Sequence, residues 1–286
     1  MKLRAYAKIN LGLQILDKRE DGYHNIETVF HQINWYDELE LERSDSGISL
    51  NTASANVPND ETNLCVHAAK LLAELSGAKA GARITLKKSI PVGAGLGGGS
   101  SDAAAVLLGL NSLWDLHLPP DRLHPLAEKL GSDVPYFLVG GTVYGTGRGE
   151  TLEPIDLQLP YWILVCTPPV HISTAWAYAN FRKNPYLRRE DLRALVTNAL
   201  SQPQVLLNKL RNDFESTVFR QYPEVMHLKE KLIRGGADFA LMSGSGSSVF
   251  GFFSNERYVR ELHDRLAQSY AVSLTEPYFQ PQPVLS

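Results

Sequence analysis

Between Pro91 and Ala105 the chain reads Pro91-Val92-Gly93-Ala94-Gly95-Leu96-Gly97-Gly98-Gly99-Ser100-Ser101-Asp102-Ala103-Ala104-Ala105, five of its 22 glycines beside a serine pair. With so few Cβ atoms, several backbone N–H groups can converge on one point and the chain can take up positive φ at little cost. Ser100 or Ser101 is placed to cap the apolar run from Ala103 to Trp114, which predicts a buried helix. The free amides and positive dipole end of that helix would meet the loop, and together they would cradle phosphate. A tight turn that uses glycine only for packing is the plainer reading, but it does not call for so many glycines and a serine cap.

Two familiar phosphate loops fit less well. Gly93, Gly95 and Gly98 match the G-x-G-x-x-G spacing of a dinucleotide fingerprint, with Asp115 downstream. Asp115, however, follows Trp114 at the end of the helical run rather than closing a second strand, and Pro91 sits where the first strand should still be running. The P-loop pattern fails because the chain contains no Gly-Lys pair.

Other residues with chemical potential lie far away in sequence. From Leu3 to Ile15 the odd positions are all apolar, a strand period that sets Lys8 and Asn10 side by side on the other face. That pair could grip an anionic or hydroxylated ligand, or it could belong to an ordinary solvated face. Asp133, in Gly131-Ser132-Asp133-Val134-Pro135, reads as a helix N-cap with proline in the first turn; near a lysine and a phosphate loop it could also orient or deprotonate a hydroxyl. Asp21-Gly22 predicts a hairpin turn, past which Tyr23 and His24 offer a ring to stack and an imidazole to hydrogen-bond. Met242 to Ser248 is a second small-residue loop, either a strand connection or a ligand contact.

The chain has 286 residues, 44% of them hydrophobic, and a formal net charge of −3, enough for two domains and giving no reason to expect nucleic acid. Cys65 and Cys166 lie far apart in apolar contexts, as buried thiols in a reducing compartment do. No apolar stretch is long enough for a membrane span, and the N-terminus enters a strand pattern at once, so a soluble cytoplasmic protein without a membrane partner is expected.

These residues need a frame. The pattern predicts a helix from near Thr62 to Gly77 with Leu64, Ala68, Leu71, Leu72 and Leu75 as its core stripe, a strand over 82–90 feeding the glycine loop, a helix over 121–130 and a hairpin over 140–150. After an aperiodic stretch at 154–160, taken as the domain boundary, come a strand at 161–167, helices near 173–182, 190–201, 204–219 and 224–234, strands at 237–242 and 248–253, a helix at 256–268 and a strand at 270–275. The expected class is α+β, with domains 1–155 and 156–286.

The Ala7-Lys8-Ile9-Asn10-Leu11 strand, the Pro91 to Ala105 loop and the Ser243 to Ser248 loop resemble, in the right order and over almost the whole chain, the three motifs of the GHMP kinase superfamily. The Asp21 to His24 turn and the Gly131 to Pro135 motif are similar to the branch whose acceptor is a cytidine diphosphate-linked sugar alcohol. The resemblance implies an N-terminal domain like ribosomal protein S5 domain 2, a ferredoxin-like C-terminal domain, and transfer of the ATP γ-phosphoryl group to a hydroxyl. It implies Asp133 as base and Lys8 as its partner, with Asn10 at the substrate. Tyr23, His24, Tyr178 and Thr174 would take the cytosine. Pro91 to Ser101 would wrap the ATP phosphates, Asn63 and Lys88 would approach the adenine or ribose, and Ser245 and Gly246 would line the cleft. Mg2+ is expected with ATP, without a dedicated carboxylate cage; Asp102 through water, or the Ser100 or Ser101 hydroxyl, are alternatives for touching it. A mevalonate- or homoserine-type enzyme would share the loops but not an aromatic pair like Tyr23 and Tyr178, and a non-catalytic relative would lose Lys8, Asp133 or the loop. A monomer or weak homodimer is expected.

Overall fold

In the computed structural model, which describes residues 1–77, 81–184, 188–198, 209–282 and 284, two sheets share the strands. The first holds β1 (Lys2–Lys18), β2 (His24–Ser44), β3 (Ile48–Thr52), β4 (Gly81–Lys87), β5 (Thr142–Thr146) and β6 (Thr151–Pro154) in the order β3-β4-β2-β5-β6, with β1 along the other edge of β2. The second holds β7 (Trp162–Thr167), β8 (Phe239–Met242), β9 (Val249–Phe253) and β10 (Ala271–Thr275), all antiparallel in the order β10-β7-β9-β8.

The odd face of β1 is buried as its period predicts, but it serves three cores in turn. Leu3 and Ala5 join the core under α1 (Leu64–Ser76) and α2 (Gly98–Leu113). Ala7, Ile9 and Leu11 enter a second core with Ile163, Val165 and Phe250. Leu13 and Ile15 enter a third with Leu164 and the helices α7 (Glu215–Gln221) and α8 (Pro223–Arg234), numbered after α3 (Pro120–Leu130), α4 (Val134–Val139), α5 (Thr174–Asn180) and α6 (Leu192–Asn198). Register shifts between Tyr6 and Lys8 and between Asn10 and Leu13 separate the three groups. The chain ends with α9 (Glu256–Leu266) and β10.

Lys8 and Asn10, at even positions of β1, are not solvated. They are 3% and 1% exposed, because the first turn of α2 closes over them: Ser101 Oγ donates to the Tyr6 carbonyl at 2.8 Å, and the Lys8 amide donates to the Leu96 carbonyl at 3.0 Å. In α1 the buried residues are Cys65, Val66, Ala68, Ala69 and Leu72, while Leu75 of the predicted stripe is exposed. Of the helix predicted over 190–201, residues 192–198 are helical and 199–201 lie outside the described residues. Of that predicted over 204–219, residues 204–208 lie outside the described residues and the helical part begins at Glu215.

Candidate active site

The serines do not cap α2. The helix starts at Gly98, with Gly97 as N-cap at φ 70° and no side-chain cap, so Ser100 and Ser101 lie inside the first turn. A Cβ on Gly97 would stand 2.8 Å from the Phe137 ring and 3.2 Å from Lys8 Cε, and an L side chain there would also be strained. The result is a helix N-terminus whose first amides, at Gly98, Gly99 and Ser100, face a cavity of about 970 Å³ without a side chain in competition for them. Pro91, Val92, Gly93, Ala94, Gly95 and Gly97 continue that wall. Leu96 and Ser101 do not line it: Leu96 is core, and Ser101 is spent on β1.

The second small-residue loop, between β8 and β9, buttresses the first. Ser243 Oγ donates to the Gly95 carbonyl at 2.9 Å and the Ser248 amide to the Ala94 carbonyl at 3.1 Å. Ser243 and Ser248 are fully buried in this role, and Ser247, equally buried, donates instead to the Val170 carbonyl at 2.6 Å. Only Gly244 and Ser245 of this loop reach the cavity, and Gly246 packs against Met242 and Ile172 instead.

In the same cavity Lys8 Nζ stands 3.4 Å from Asp133 Oδ2 and donates to Asn10 Oδ1 at 2.8 Å. Asn10 Nδ2 donates to Thr28 Oγ1 at 2.8 Å, and Thr28 donates to the Gly12 carbonyl at 2.7 Å. This one-way chain fixes the amide with its oxygen toward the lysine. Asp133 occupies the N-cap position of α4 but makes no capping hydrogen bond, so its half-buried carboxylate is free to meet a hydroxyl.

An aromatic wall closes the other end. The β1–β2 hairpin turns at Gly22 (φ 87°) and presents Tyr23, 55% exposed. His24 stacks on Tyr178 of α5 with ring centroids 5.3 Å apart, and the Arg148 guanidinium sits 5.0 Å from the Tyr23 ring. Burial, helped by Lys18, lowers the His24 pKa, so a neutral imidazole faces the cavity near pH 7. Burial, with the charge of Asp133 adding to it, pushes the Tyr178 phenol up to about 12. Thr174 and Ser245 share a hydrogen bond at 3.0 Å, which places Ser245 beside the aromatic end.

Both family models that match the chain say the same thing: GHMP kinases N terminal domain over residues 63–141 and GHMP kinases C terminal over 186–272. The chain belongs to the GHMP kinases. A relative from Chlorobium phaeobacteroides, named 4-diphosphocytidyl-2-C-methyl-D-erythritol kinase, is 47% identical over 99% of both chains. The solved structure of a 4-(cytidine 5'-diphospho)-2C-methyl-D-erythritol kinase superposes with a TM-score of 0.81 at 35% identity, covering 96% of this chain and 98% of its own. A homoserine kinase from Cytophaga hutchinsonii, at 20% identity and a TM-score of 0.71 over 98% and 95% of the two chains, shares the fold. The α+β two-domain architecture expected from the motifs is therefore the family's.

Two residues of this GHMP kinase expected at the nucleotide are committed within the protein. Asn63 lines the cavity but caps α1, accepting from the Cys65 amide at 2.9 Å and donating to the Pro58 carbonyl at 2.7 Å. Lys88 is ion-paired with Asp37 and, at 2.7 Å, with Asp102. Burial works against the lysine charge, but the two carboxylates outweigh it and raise its pKa. Burial raises the Asp102 carboxyl pKa, while Lys88 pulls it back down. Asp37 also accepts from the Ser89 and Ile90 amides, so this cluster ties β2 to the start of the glycine loop and to α2. Sequence reasoning missed Asp37, Lys18 and Arg148. Asp37 sits in a strand with no motif around it, whereas Arg148 had a signal, a long cation between two glycines.

Cys65 and Cys166 are buried free thiols whose pKa values burial raises, as their apolar contexts suggested. No described helix is long and apolar enough to cross a membrane.

Proposed function

We propose that this GHMP kinase transfers the γ-phosphoryl group of ATP to the 2-hydroxyl of 4-diphosphocytidyl-2-C-methyl-D-erythritol, giving the 2-phosphate and ADP on the non-mevalonate route to isoprenoid precursors. The observation that carries the reading is one cavity with the Lys8–Asp133 pair between an uncapped helix N-terminus and an aromatic wall of Tyr23, His24 and Tyr178. Full-length relatives bearing that enzyme's name support the choice of acceptor. The cleft would be formed by domains 1–155 and 156–286.

The first-turn amides of α2 and the glycine loop fit a triphosphate, since each needs a backbone that no Cβ covers. Among the described residues no three His, Cys, Asp or Glu side chains converge as a metal cage. Mg2+ would enter on the nucleotide and neutralise phosphate charge, with Ser100 and Asp102 of that wall able to touch it, directly or through water. Phosphoryl transfer has a loose transition state, so placement and charge outweigh early proton abstraction. Asp133 holds the acceptor hydroxyl and takes its proton late. Lys8 holds Asp133 and presents its remaining N–H to the transferring group. A neutral His24 can both donate to and accept from a pyrimidine edge while Tyr23 and Tyr178 stack on its faces. ADP release with Mg-ATP, offered this acceptor in parallel with mevalonate and homoserine, tests the proposal. Turnover with the cytidyl substrate alone is expected; turnover with either other acceptor, or with none, refutes it.

A further inference from the structure

The cations lining the cavity among the described residues are Lys8, Lys18, Lys88 and Arg148. Lys88 is saturated by two carboxylates, and Lys8 is held by Asp133 and Asn10 at the reacting end. If the acceptor is the one proposed above, its diphosphate, lying between base and alcohol, still needs a counter-charge. We infer that Arg148 supplies it, as a specificity-determining residue that grips the acceptor's diphosphate while bracing Tyr23.

The side chain is mounted for this. Arg148 lies in the β5–β6 turn between Gly147 and Gly149, and the Gly147 carbonyl accepts from the Ile26 amide at 2.7 Å, two residues past His24. The root of Arg148 is thus fixed to the strand that carries the base-binding imidazole. Its guanidinium covers one face of Tyr23 at 5.0 Å and leaves the other face of that exposed ring for a nucleobase. The guanidinium is nonetheless without hydrogen bonds. Nε is buried without a hydrogen-bond partner and keeps only a loose ion pair, 3.7 Å from Glu150 Oε1, and among the described residues none of its three nitrogens donates a hydrogen bond. A structural arginine would satisfy these donors within the protein, because a buried unpaired N–H is costly. A planar fork left open beside a base-stacking ring suits two phosphate oxygens. Lys18, on the same wall and close enough to disfavour a charged His24, adds a second, point-like cation.

The test is calorimetric titration of the full-length protein with cytidine, CMP and CDP, for wild type, Arg148→Met and Arg148→Lys, beside acceptor kinetics. Wild type should bind CDP at least about tenfold more tightly than cytidine, and Arg148→Met should lose most of that margin while cytidine affinity moves less than about threefold. Arg148→Lys should recover part of it. The acceptor KM should rise in Arg148→Met with kcat and the ATP KM nearly unchanged. A CDP-to-cytidine ratio unmoved in Arg148→Met overturns the assignment, as does an equal loss of both ligands, which would leave Arg148 only a prop for Tyr23. The two readings fail separately: no wild-type turnover of the cytidyl acceptor removes the acceptor, whereas normal turnover with an unmoved ratio removes Arg148 alone.

Discussion

Replacing Gly95 by alanine should damage both stability and turnover, because the glycine loop and its buttress meet there backbone to backbone. Gly95 has φ +78°, and a Cβ on it would lie 2.2 Å from the Ser243 carbonyl oxygen and 3.0 Å from that of Gly246. Ordinary contact begins at 3.4 Å, so the loops must part by about 1.2 Å, the difference between 3.4 and 2.2, and no flexible side chain can absorb the shift. The left-handed conformation costs an alanine about 1 kcal/mol. Parting the loops also breaks the hydrogen bonds from Ser243 Oγ to Gly95 O and from the Ser248 amide to Ala94 O, about 1 kcal/mol each. A loss of about 3 kcal/mol should lower Tm by roughly 5–10 °C, and a 1 Å displacement of the phosphate wall should reduce kcat about 100-fold. Gly77→Ala is the control, since Gly77 also has positive φ (+65°) but nothing lies within 4 Å of its Cβ position. It should lose only the conformational part, about 1 kcal/mol, and keep its activity. Thermal melts and ADP-release kinetics on the two variants decide the matter. Should Gly95→Ala melt within about 1 °C of Gly77→Ala and turn over within about threefold of wild type, the second loop does not position the first.

Asp133→Asn keeps the shape of the side chain and should lower kcat by about two or more powers of ten while ATP binding, measured by calorimetry, stays intact; near-normal turnover would take Asp133 out of the mechanism. Tyr23→Ala should raise the acceptor KM by roughly tenfold through lost base stacking and leave the ATP KM alone, and a change confined to ATP affinity would show the aromatic end misassigned. Lys88→Met should cost about 3 kcal/mol or more by leaving Asp37 buried without its cation, read as a lower urea midpoint; an unchanged midpoint would mean the cluster does not hold the loop. Burial lowers the His31 pKa from 6.5 to about 4, so between those values the unfolded chain binds more protons and stability declines as pH falls. His31 contributes up to ~1.4 kcal/mol per pH unit to the slope, and His31→Gln, able to keep the bond to Thr142, should remove that contribution, read as the difference from wild type in melts from pH 7 to about 4.5.

The reach of sequence reasoning follows the range of the contacts involved. The period of β1 is local, and so is the Asp21-Gly22 turn; both are as the residues suggest. What covers Lys8 and Asn10 is the glycine loop and the start of α2, some ninety residues later, so strand periodicity alone could not distinguish a solvated Lys8 from a buried one. The sequence pattern does not mark the start of α2, because its N-cap is a left-handed glycine, which has no side chain to announce it among four neighbouring glycines, while the serines that look like caps serve β1 or the cavity. Asp133 carried a capping signature and sits at the capping position, but its carboxylate is turned to Lys8. Asn63 and Lys88, which the family resemblance sets at the adenine or ribose, line the cavity, yet their side chains are spent on α1, Asp37 and Asp102, partners that only the folded chain brings near.

The passage of β1 through three cores bears on how the molecule could be divided. The first sheet ends at Pro154 and the second begins at Trp162, but the apolar groups do not respect that gap. The middle core joins Ala7, Ile9 and Leu11 to Leu157, Ile163 and Phe250, and the third takes Leu13, Ile15 and Ile26 as partners of Leu164, Phe214 and Val218. A fragment cut after residue 155 would expose its half of both, and the remainder would lose the strand that plugs it. The sheets are separate, but the cores are held in common, and the strand bearing Lys8 is the pin through all three.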